Sequence, residues 1–126
     1  MIEAISGWEL DVDRGPNWLF VKVRGTKESL PDTSRLAERV WVLLQEHFAD
    51  RLILELDEIG FLSSSFLGQL VLLHKRVANR GGLMRLCGLS PQAQEVLRCC
   101  RLDERFSYYP NREEAVMGSY RPRQPR

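Results

Sequence analysis

Three consecutive hydroxyl groups, on Ser63, Ser64 and Ser65, are the side chains of this sequence best placed for chemistry. They follow the apolar run 52–56 and precede a helical pattern, so they fall in a turn between a strand and a helix. The first amides of a helix have no partner within it and, together with the helix dipole, favour negative charge. A phosphate on one of these hydroxyls would be tolerated there, which makes the turn a candidate phosphorylation site.

Nucleophilic catalysis is an alternative use of a serine in such a turn, and the sequence argues against it. The nucleophile elbow of hydrolases reads G-x-S-x-G, whereas Leu62 and Phe66 stand two residues either side of Ser64. His74 would have to act as the base, but it lies ten residues further along the same predicted helix, on its apolar side. We predict that His74 is a partly buried core or interface residue and that the protein is not an enzyme.

A purely structural role is the other alternative for the three serines. One hydroxyl would accept a hydrogen bond from a free amide as a helix cap, and the other two would be solvated. The residue types by themselves leave both this role and phosphorylation open.

The composition predicts one ordinary domain. The chain has 126 residues and a formal net charge of +1, so no overall field attracts it to nucleic acid or to an anionic membrane. No apolar run approaches the roughly 18 residues that cross a bilayer, and the N-terminus lacks the features of a secretion signal. We therefore expect a single domain at residues 1–117, a cytoplasmic location, no membrane insertion, and a disordered basic tail at residues 118–126.

The three cysteines do not suggest a disulfide framework or a metal site. Cys99 and Cys100 are adjacent and, with Cys87, lie among residues that look like core. We predict buried free thiols, with redox sensing as the alternative. The histidines, His47 and His74, are isolated from any metal-ligand spacing, so no metal and no cofactor is expected.

The elements that position the serine turn alternate between strands and helices. An N-terminal β-hairpin is predicted from strands at 8–12 and 18–24, and three further strands from runs at 52–56, 83–87 and 106–109. Helix-capping residues precede four helical patterns, the first at Asp32, Thr33 or Ser34 and the others at Ser63, Ser90 and Asn111. The predicted fold class is α/β, with a mixed sheet of about five strands and about four helices packed on it.

Several strings in this order carry a family resemblance. Residues 63–68 read SSSFLG after a strand containing Glu55, residues 75–86 read KRVANRGGLMRL, and residues 89–106 read LSPQAQEVLRCCRLDERF. Together with Glu-Glu-Ala at 113–115, they resemble the STAS domain of bacterial anti-sigma factor antagonists over roughly residues 8–117. The resemblance implies a STAS-like fold.

The central family signature, D-S-[ST]-G-[LIV]-G, aligns with the serine turn. Ser64 falls on the position that family members phosphorylate, and Ser63 and Ser65 are the alternative acceptors. Ser63 replaces the usual Asp and Phe66 replaces the usual Gly, so Phe66 is either an exposed contact for a partner or a core residue. The family's acidic residues near the phosphorylation site map to Glu55 and Glu28.

What the resemblance implies is a binding switch. The unphosphorylated protein would bind an anti-sigma factor, usually a serine kinase of the GHKL type. The residues implied to bind this partner are Ser63, Ser64, Ser65, Phe66, Glu28 and Glu55. Binding would free a sigma factor, and phosphorylation by that kinase would break the complex.

Any ATP would belong to the kinase, and no direct contact with nucleic acid is implied. A weak homodimer is left open. The alternative is a STAS module that is never phosphorylated and serves as an adaptor for a lipid-transport ATPase or a stress-signalling assembly.

Overall fold

The computed structural model describes residues 1–5, 7–25 and 32–118. Glu28, predicted to contribute to partner binding, lies outside the described residues. Of the predicted tail at 118–126, only Gly118 is described, and it follows directly on the last helix.

Six strands form one sheet in which the spatial order follows the order in the chain. The strands are β1 Ile2–Ile5, β2 Trp8–Arg14, β3 Leu19–Gly25, β4 Arg51–Glu55, β5 Leu83–Cys87 and β6 Ser107–Tyr109. β1, β2 and β3 pair antiparallel, whereas β3, β4, β5 and β6 pair parallel, which confirms the predicted mixed sheet and its hairpin.

The strand β1 was not predicted, so the sheet has one strand more than expected. It is a four-residue edge strand, and its pairing with β2 spans Ile2 opposite Asp11 to Ile5 opposite Trp8. Its four residues, Ile-Glu-Ala-Ile, do not alternate between apolar and polar types, so the sequence carries little of the pattern that marks a strand.

The four predicted helices are present, and their capping residues are largely as predicted. They are α1 Leu36–Glu46, α2 Ser64–Asn79, α3 Pro91–Cys99 and α4 Arg112–Met117. Ser63, Ser90 and Asn111 each accept a hydrogen bond from an amide in the first turn of the following helix. Asp32 instead caps a short 3-10 turn, Thr33–Arg35, that leads into α1.

The sheet separates two layers of apolar packing. On one face, α1, α2 and α3 cover side chains such as Leu10, Val21 and Leu54. On the other face, α4 covers a smaller group of side chains: Trp18, Phe20, Ile53 and Cys87, with Ala115 from the helix itself. β4 is therefore buried on both faces, as is typical of a central strand in a parallel part of a sheet.

Two details of α2 differ from the helical pattern read in the sequence. The sequence predicts an apolar stripe on α2 that includes Ala78 but not Leu73, with Gln69 facing outward. In the structure Leu73 is buried and Ala78 is exposed. Gln69, expected to face solvent, reaches α1, where its Oε1 accepts a hydrogen bond from the Ala37 amide at 2.9 Å. That amide lies in the first turn of α1 and has no partner within its own helix, so tertiary packing decides the side-chain direction.

The prediction of three buried thiols is wrong for two of them. Cys87 is buried, but Cys99 and Cys100 are exposed. The buried face of α3 is formed by Ala93 and Leu97, one turn apart, and the two cysteines at the end of the helix fall off that face.

Candidate functional site

The serine turn lies at the carboxyl end of β4, where α2 begins. Ser63 has an extended backbone, and its Oγ accepts a hydrogen bond from the Phe66 amide at 3.1 Å. Ser64 and Ser65 are the first two residues of α2, and both are exposed. Their amides have no acceptor within the helix, so the hydroxyl of Ser64 lies where a helix best stabilises an anion.

Buried side chains on both sides anchor the turn. Ile59 and Leu62 are buried before it, and Phe66 is buried after it at 2% exposure. The ring of Phe66 packs against Trp8 of β2, with 5.4 Å between ring centroids. Phe66 is therefore a core residue, which was one of its two predicted roles, and it is not an exposed contact for a partner.

A second loop, between β5 and α3, supports the loop that carries the turn. Ser90 Oγ donates a hydrogen bond to the Gly60 carbonyl at 3.0 Å, and the Leu56 amide donates to the Cys87 carbonyl at 2.9 Å. At Gly88, whose φ is +76°, a Cβ atom would lie 2.8 Å from the Cβ of Asp57. This close approach requires glycine and holds the two loops together.

Exposed apolar side chains precede and follow Ser64 in the chain. Phe61, two residues before the capping serine, is 70% exposed, and Leu72 on α2 is 52% exposed. Ser64, Gly68 and Leu72 are spaced four residues apart and so share one face of the helix. Apart from the neighbouring backbone of α2 itself, no atom of the described residues lies within 4 Å of a Cβ built on Gly68, so this face is open. We call Phe61, Ser64, Ser65, Gly68 and Leu72 the serine-turn surface.

A comparison with known protein families identifies the chain. The model of the STAS domain matches residues 29–115, more than half of the sequence. The chain belongs to the STAS domain family. The resemblance read from the serine turn and its flanking strings is thereby confirmed.

Solved structures share this STAS fold. An anti-sigma factor antagonist from Mycobacterium paratuberculosis has a TM-score of 0.72 at 19% identity, covering 91% of this chain and 96% of its own. An anti-sigma factor antagonist (STAS) domain protein from Planctomyces limnophilus has a TM-score of 0.71 at 24% identity, covering 86% and 96%. The phosphorylated form of the Bacillus cell fate determinant SpoIIAA has a TM-score of 0.62 at 13% identity, covering 86% and 97%. At sequence identities this low, the similarity shows that these proteins share a fold with this chain, and no more than that.

Glu55 does not lie on the serine-turn surface of this STAS domain. It is 5% exposed, and its carboxylate accepts a hydrogen bond from Arg112 Nε of α4 at 2.6 Å. The same guanidinium donates to Asp13 at 2.8 Å and lies 4.2 Å from the ring centroid of Phe20. Glu55 therefore joins α4 to the sheet, which corrects the expectation of an accessible partner-binding carboxylate.

The charge network around Arg112 also affects Asp13. The side-chain hydrogen bond from Arg112, then the backbone amide of Arg14, lowers the pKa of the Asp13 carboxyl below its usual value. This carboxyl stays ionised at neutral pH and, like Glu55, serves the attachment of α4.

His74 is half-buried and packs against the core, which confirms its predicted placement. Its ring meets Phe106 edge to face with 5.2 Å between centroids, and burial, then the charge of Arg105, lowers its pKa. It lies ten residues along α2 from Ser64, a helical rise of about 15 Å. His74 therefore does not reach the Ser64 hydroxyl as a base.

The described residues contain neither a metal-ligand cluster nor a helix that could span a membrane. Within residues 1–5, 7–25 and 32–118, no cluster of three or more potential metal ligands occurs. Over the same part of the chain, every helix is too short or too polar to span a bilayer.

Sequence reasoning missed Phe61 and Leu72 as members of the serine-turn surface. Phe61 and Leu62 form an apolar pair in the sequence, and of the two only Leu62 is buried. The exposure of Leu72 could have been predicted, because a period of 3.6 residues places it with Lys75 and Arg76 on the polar side of α2.

Proposed function

We propose that this STAS domain protein is an anti-sigma factor antagonist that binds an anti-sigma factor with serine kinase activity through the serine-turn surface. Phosphorylation of Ser64 switches it off, with Ser63 and Ser65 as alternative acceptors. It regulates transcription indirectly, in the cytoplasm where sigma factors act. The observation that supports the proposal most directly is the exposure of Ser64 at the first position of α2, between the exposed side chains of Phe61 and Leu72.

The surface suits a protein partner in its unphosphorylated state. Phe61 and Leu72 offer apolar area, and Gly68 between them allows close approach of a partner's backbone or side chains. Burial of exposed aromatic and aliphatic groups is the main favourable contribution in most protein associations. The hydroxyls of Ser64 and Ser65 can hydrogen-bond across such an interface without a charge.

Phosphorylation would change this surface without unfolding the helix. In the transfer, the γ-phosphoryl group of ATP forms a bond to Ser64 Oγ, its bond to ADP breaks, and the hydroxyl proton passes to a base of the kinase. The product adds about −1.5 to −2 charge at a helix start, where the fold stabilises it. The same charge between Phe61 and Leu72 would have to be desolvated in the complex, so binding weakens.

The two departures from the family signature are compatible with this switch. Ser63 replaces Asp yet still caps α2 through its Oγ, and Phe66 replaces Gly yet packs inward on Trp8. Neither change covers Ser64. The proposal therefore does not depend on an Asp or a Gly in this turn.

The experiment is phosphate mapping on the full chain with an anti-sigma factor kinase from the same genome. Incubation with ATP should add one phosphoryl group, located at Ser64 by mass spectrometry. Ser64→Ala should abolish the label, while Ser65→Ala, the matched control one residue along the same exposed turn, should retain it. In a binding assay with the same kinase, Ser64→Glu should weaken the complex.

Absence of phosphate on all three serines, with each such kinase tested, would contradict the switch. A pull-down then distinguishes the alternative. Recovery of a transporter ATPase or of a stress-signalling assembly, bound equally by the protein and by Ser64→Glu, would point to an adaptor that is never phosphorylated.

A further inference from the structure

An exposed phenylalanine marks the end of the molecule opposite the serine turn. α1 ends at Glu46, and Phe48 follows two residues later with its side chain 93% exposed. Its φ is +53°, in the left-handed region that bulky L residues rarely adopt.

The hydrogen bonds around Phe48 form a Schellman motif, which usually requires glycine at this place. The Ala49 amide donates to the Leu44 carbonyl at 2.9 Å, and the Phe48 amide donates to the Gln45 carbonyl at 3.1 Å. α2 ends in the same way, with Gly81 at the equivalent position and a φ of +76°. The chain thus uses glycine for this turn in one helix and phenylalanine in another.

Both the backbone conformation of Phe48 and the exposure of its ring are unfavourable in the monomer. A left-handed conformation is strained for a residue with a Cβ. Exposure of a phenyl ring to water is also unfavourable in free energy. Arg101, after α3, shares the positive φ, but its charged side chain is well solvated in its exposed position. Backbone strain that persists at an exposed aromatic residue points to binding at that residue.

Two adjoining hollows flank Phe48. The larger, of about 390 Å³, is lined by Trp41, Leu44 and Val77, among others. The smaller, of about 170 Å³, includes Trp18 in its lining. Phe48 lies at the border of both hollows, so a projecting ring and a concave surface lie side by side on one face of the molecule.

The lining of the larger hollow includes one positively and one negatively charged side chain that form no ion pair with other described residues. Arg80 and Asp50 both line it, and neither belongs to any ion pair among the described residues. Arg80 lies over the Trp41 ring at 5.5 Å from its centroid, on a ring that Arg76 also contacts at 4.8 Å. Arg76, by contrast, is paired with Glu38.

We propose that a second copy of this chain occupies the larger hollow and that Phe48 of each copy inserts beside Trp41 of the other. A two-fold interface requires one patch that is complementary to itself. A ring next to a hollow meets that requirement, as do a cation and an anion that form no ion pair with other described residues. In the dimer, Arg80 of each copy faces Asp50 of the other, and both phenyl rings leave water.

This surface is distinct from the one proposed to bind the kinase. α2 begins at the serine turn and runs for 16 residues to Asn79, beside Arg80. That length corresponds to about 24 Å, so the dimer holds its two serine turns away from the shared interface.

The first test is sedimentation velocity on the full chain over a wide range of concentrations. The protein should pass from monomer to dimer as concentration rises. Phe48→Asn should raise the dimer dissociation constant about tenfold or more, because a central buried aromatic residue is removed. Asn adopts positive φ readily, so this variant should still fold. Phe61→Asn, the matched control on the exposed ring at the other end, should dimerise like the parent chain.

The second test reverses the two charges. Arg80→Asp and Asp50→Arg should each weaken the dimer, and the double variant should recover much of the loss, as expected for a direct pair. A protein that stays monomeric at every concentration would overturn the proposal. A dimer of unchanged strength in Phe48→Asn would also overturn it.

Discussion

At the scale of single residues, three positions of the α2 amino terminus have three different environments. Ser63 accepts the Phe66 amide, Ser64 projects into solvent, and Phe66 packs on Trp8. Ser63 precedes the helix with an extended backbone, whereas Ser64 and Phe66, two residues apart within the first turn, point to opposite sides of the helix. The exposed hydroxyl therefore lies beside, and not within, the packed core.

Cys87 gives a prediction that depends on pH. Burial, followed by the charges of Glu55 and Asp57, raises the pKa of its thiol from 9.0 to about 12. Between these values the unfolded chain ionises Cys87 and the folded chain does not, so the free energy of unfolding should fall as pH rises. Below about pH 9 this contribution is fully present.

Urea unfolding between about pH 8 and pH 11 checks this, with Cys87→Ala as the comparison. The parent chain should lose up to about 1.4 kcal/mol per pH unit more than the variant above pH 9. Other groups titrate in the same range, but they are common to both proteins. Parallel pH profiles of the two proteins would contradict the prediction.

At the scale of elements, the serine turn owes its position to loops that support each other. β4 and β5 are parallel neighbours, so the loops after them leave the same edge of the sheet. Ser90, which caps α3, also donates to the carbonyl of Gly60 in the loop before α2. The start of one helix thus helps to fix the start of the other.

Loss of the Ser63 cap should destabilise this element measurably. Ser63→Ala removes the acceptor of the Phe66 amide and should cost about 1 kcal/mol in the free energy of unfolding. Ser63→Asp restores the residue usual in the family and keeps both the cap and the favourable charge at the helix start, so it should be at least as stable as the parent.

Thermal or urea unfolding of these variants, with Ser65→Ala as the control, checks the cap. Ser65 is exposed, and the cap hydrogen bond is made by Ser63, so truncation of Ser65 should change stability little. Equal stability of Ser63→Ala and Ser65→Ala would show that the cap contributes nothing.

At the scale of the whole molecule, the sheet places two candidate interfaces at opposite ends. The serine-turn surface lies where β4 ends, and Phe48 and Asp50 lie just before β4 begins at Arg51. The strand β4, which lies between the two surfaces, is packed on both faces and is therefore rigid. Binding at one surface thus requires no movement of the other.

We therefore expect the two associations to be independent. Ser64→Glu should leave the dimer dissociation constant unchanged, because its charge lies about 24 Å along α2 from Arg80. Phe48→Asn should leave phosphorylation of Ser64 by the kinase unchanged. Sedimentation and phosphate mapping on these two variants measure both quantities, and a change of either by about tenfold would indicate coupling between the ends.

The sequence by itself determined the α/β class, the four helices with most of their capping residues, the parallel strands and the place of Ser64 in a strand-to-helix turn. These features follow from local patterns, namely apolar periodicity and the few residues that begin helices. The same local patterns also carried the resemblance to the STAS family.

Only the tertiary structure decided which side chains face the core. Phe66 packs on Trp8 of a distant strand, Glu55 pairs with Arg112 of the last helix, and Cys99 and Cys100 fall off the buried face of α3. The edge strand β1 likewise exists through its pairing with β2. Burial depends on neighbours that are far away in the chain, and no local pattern contains them.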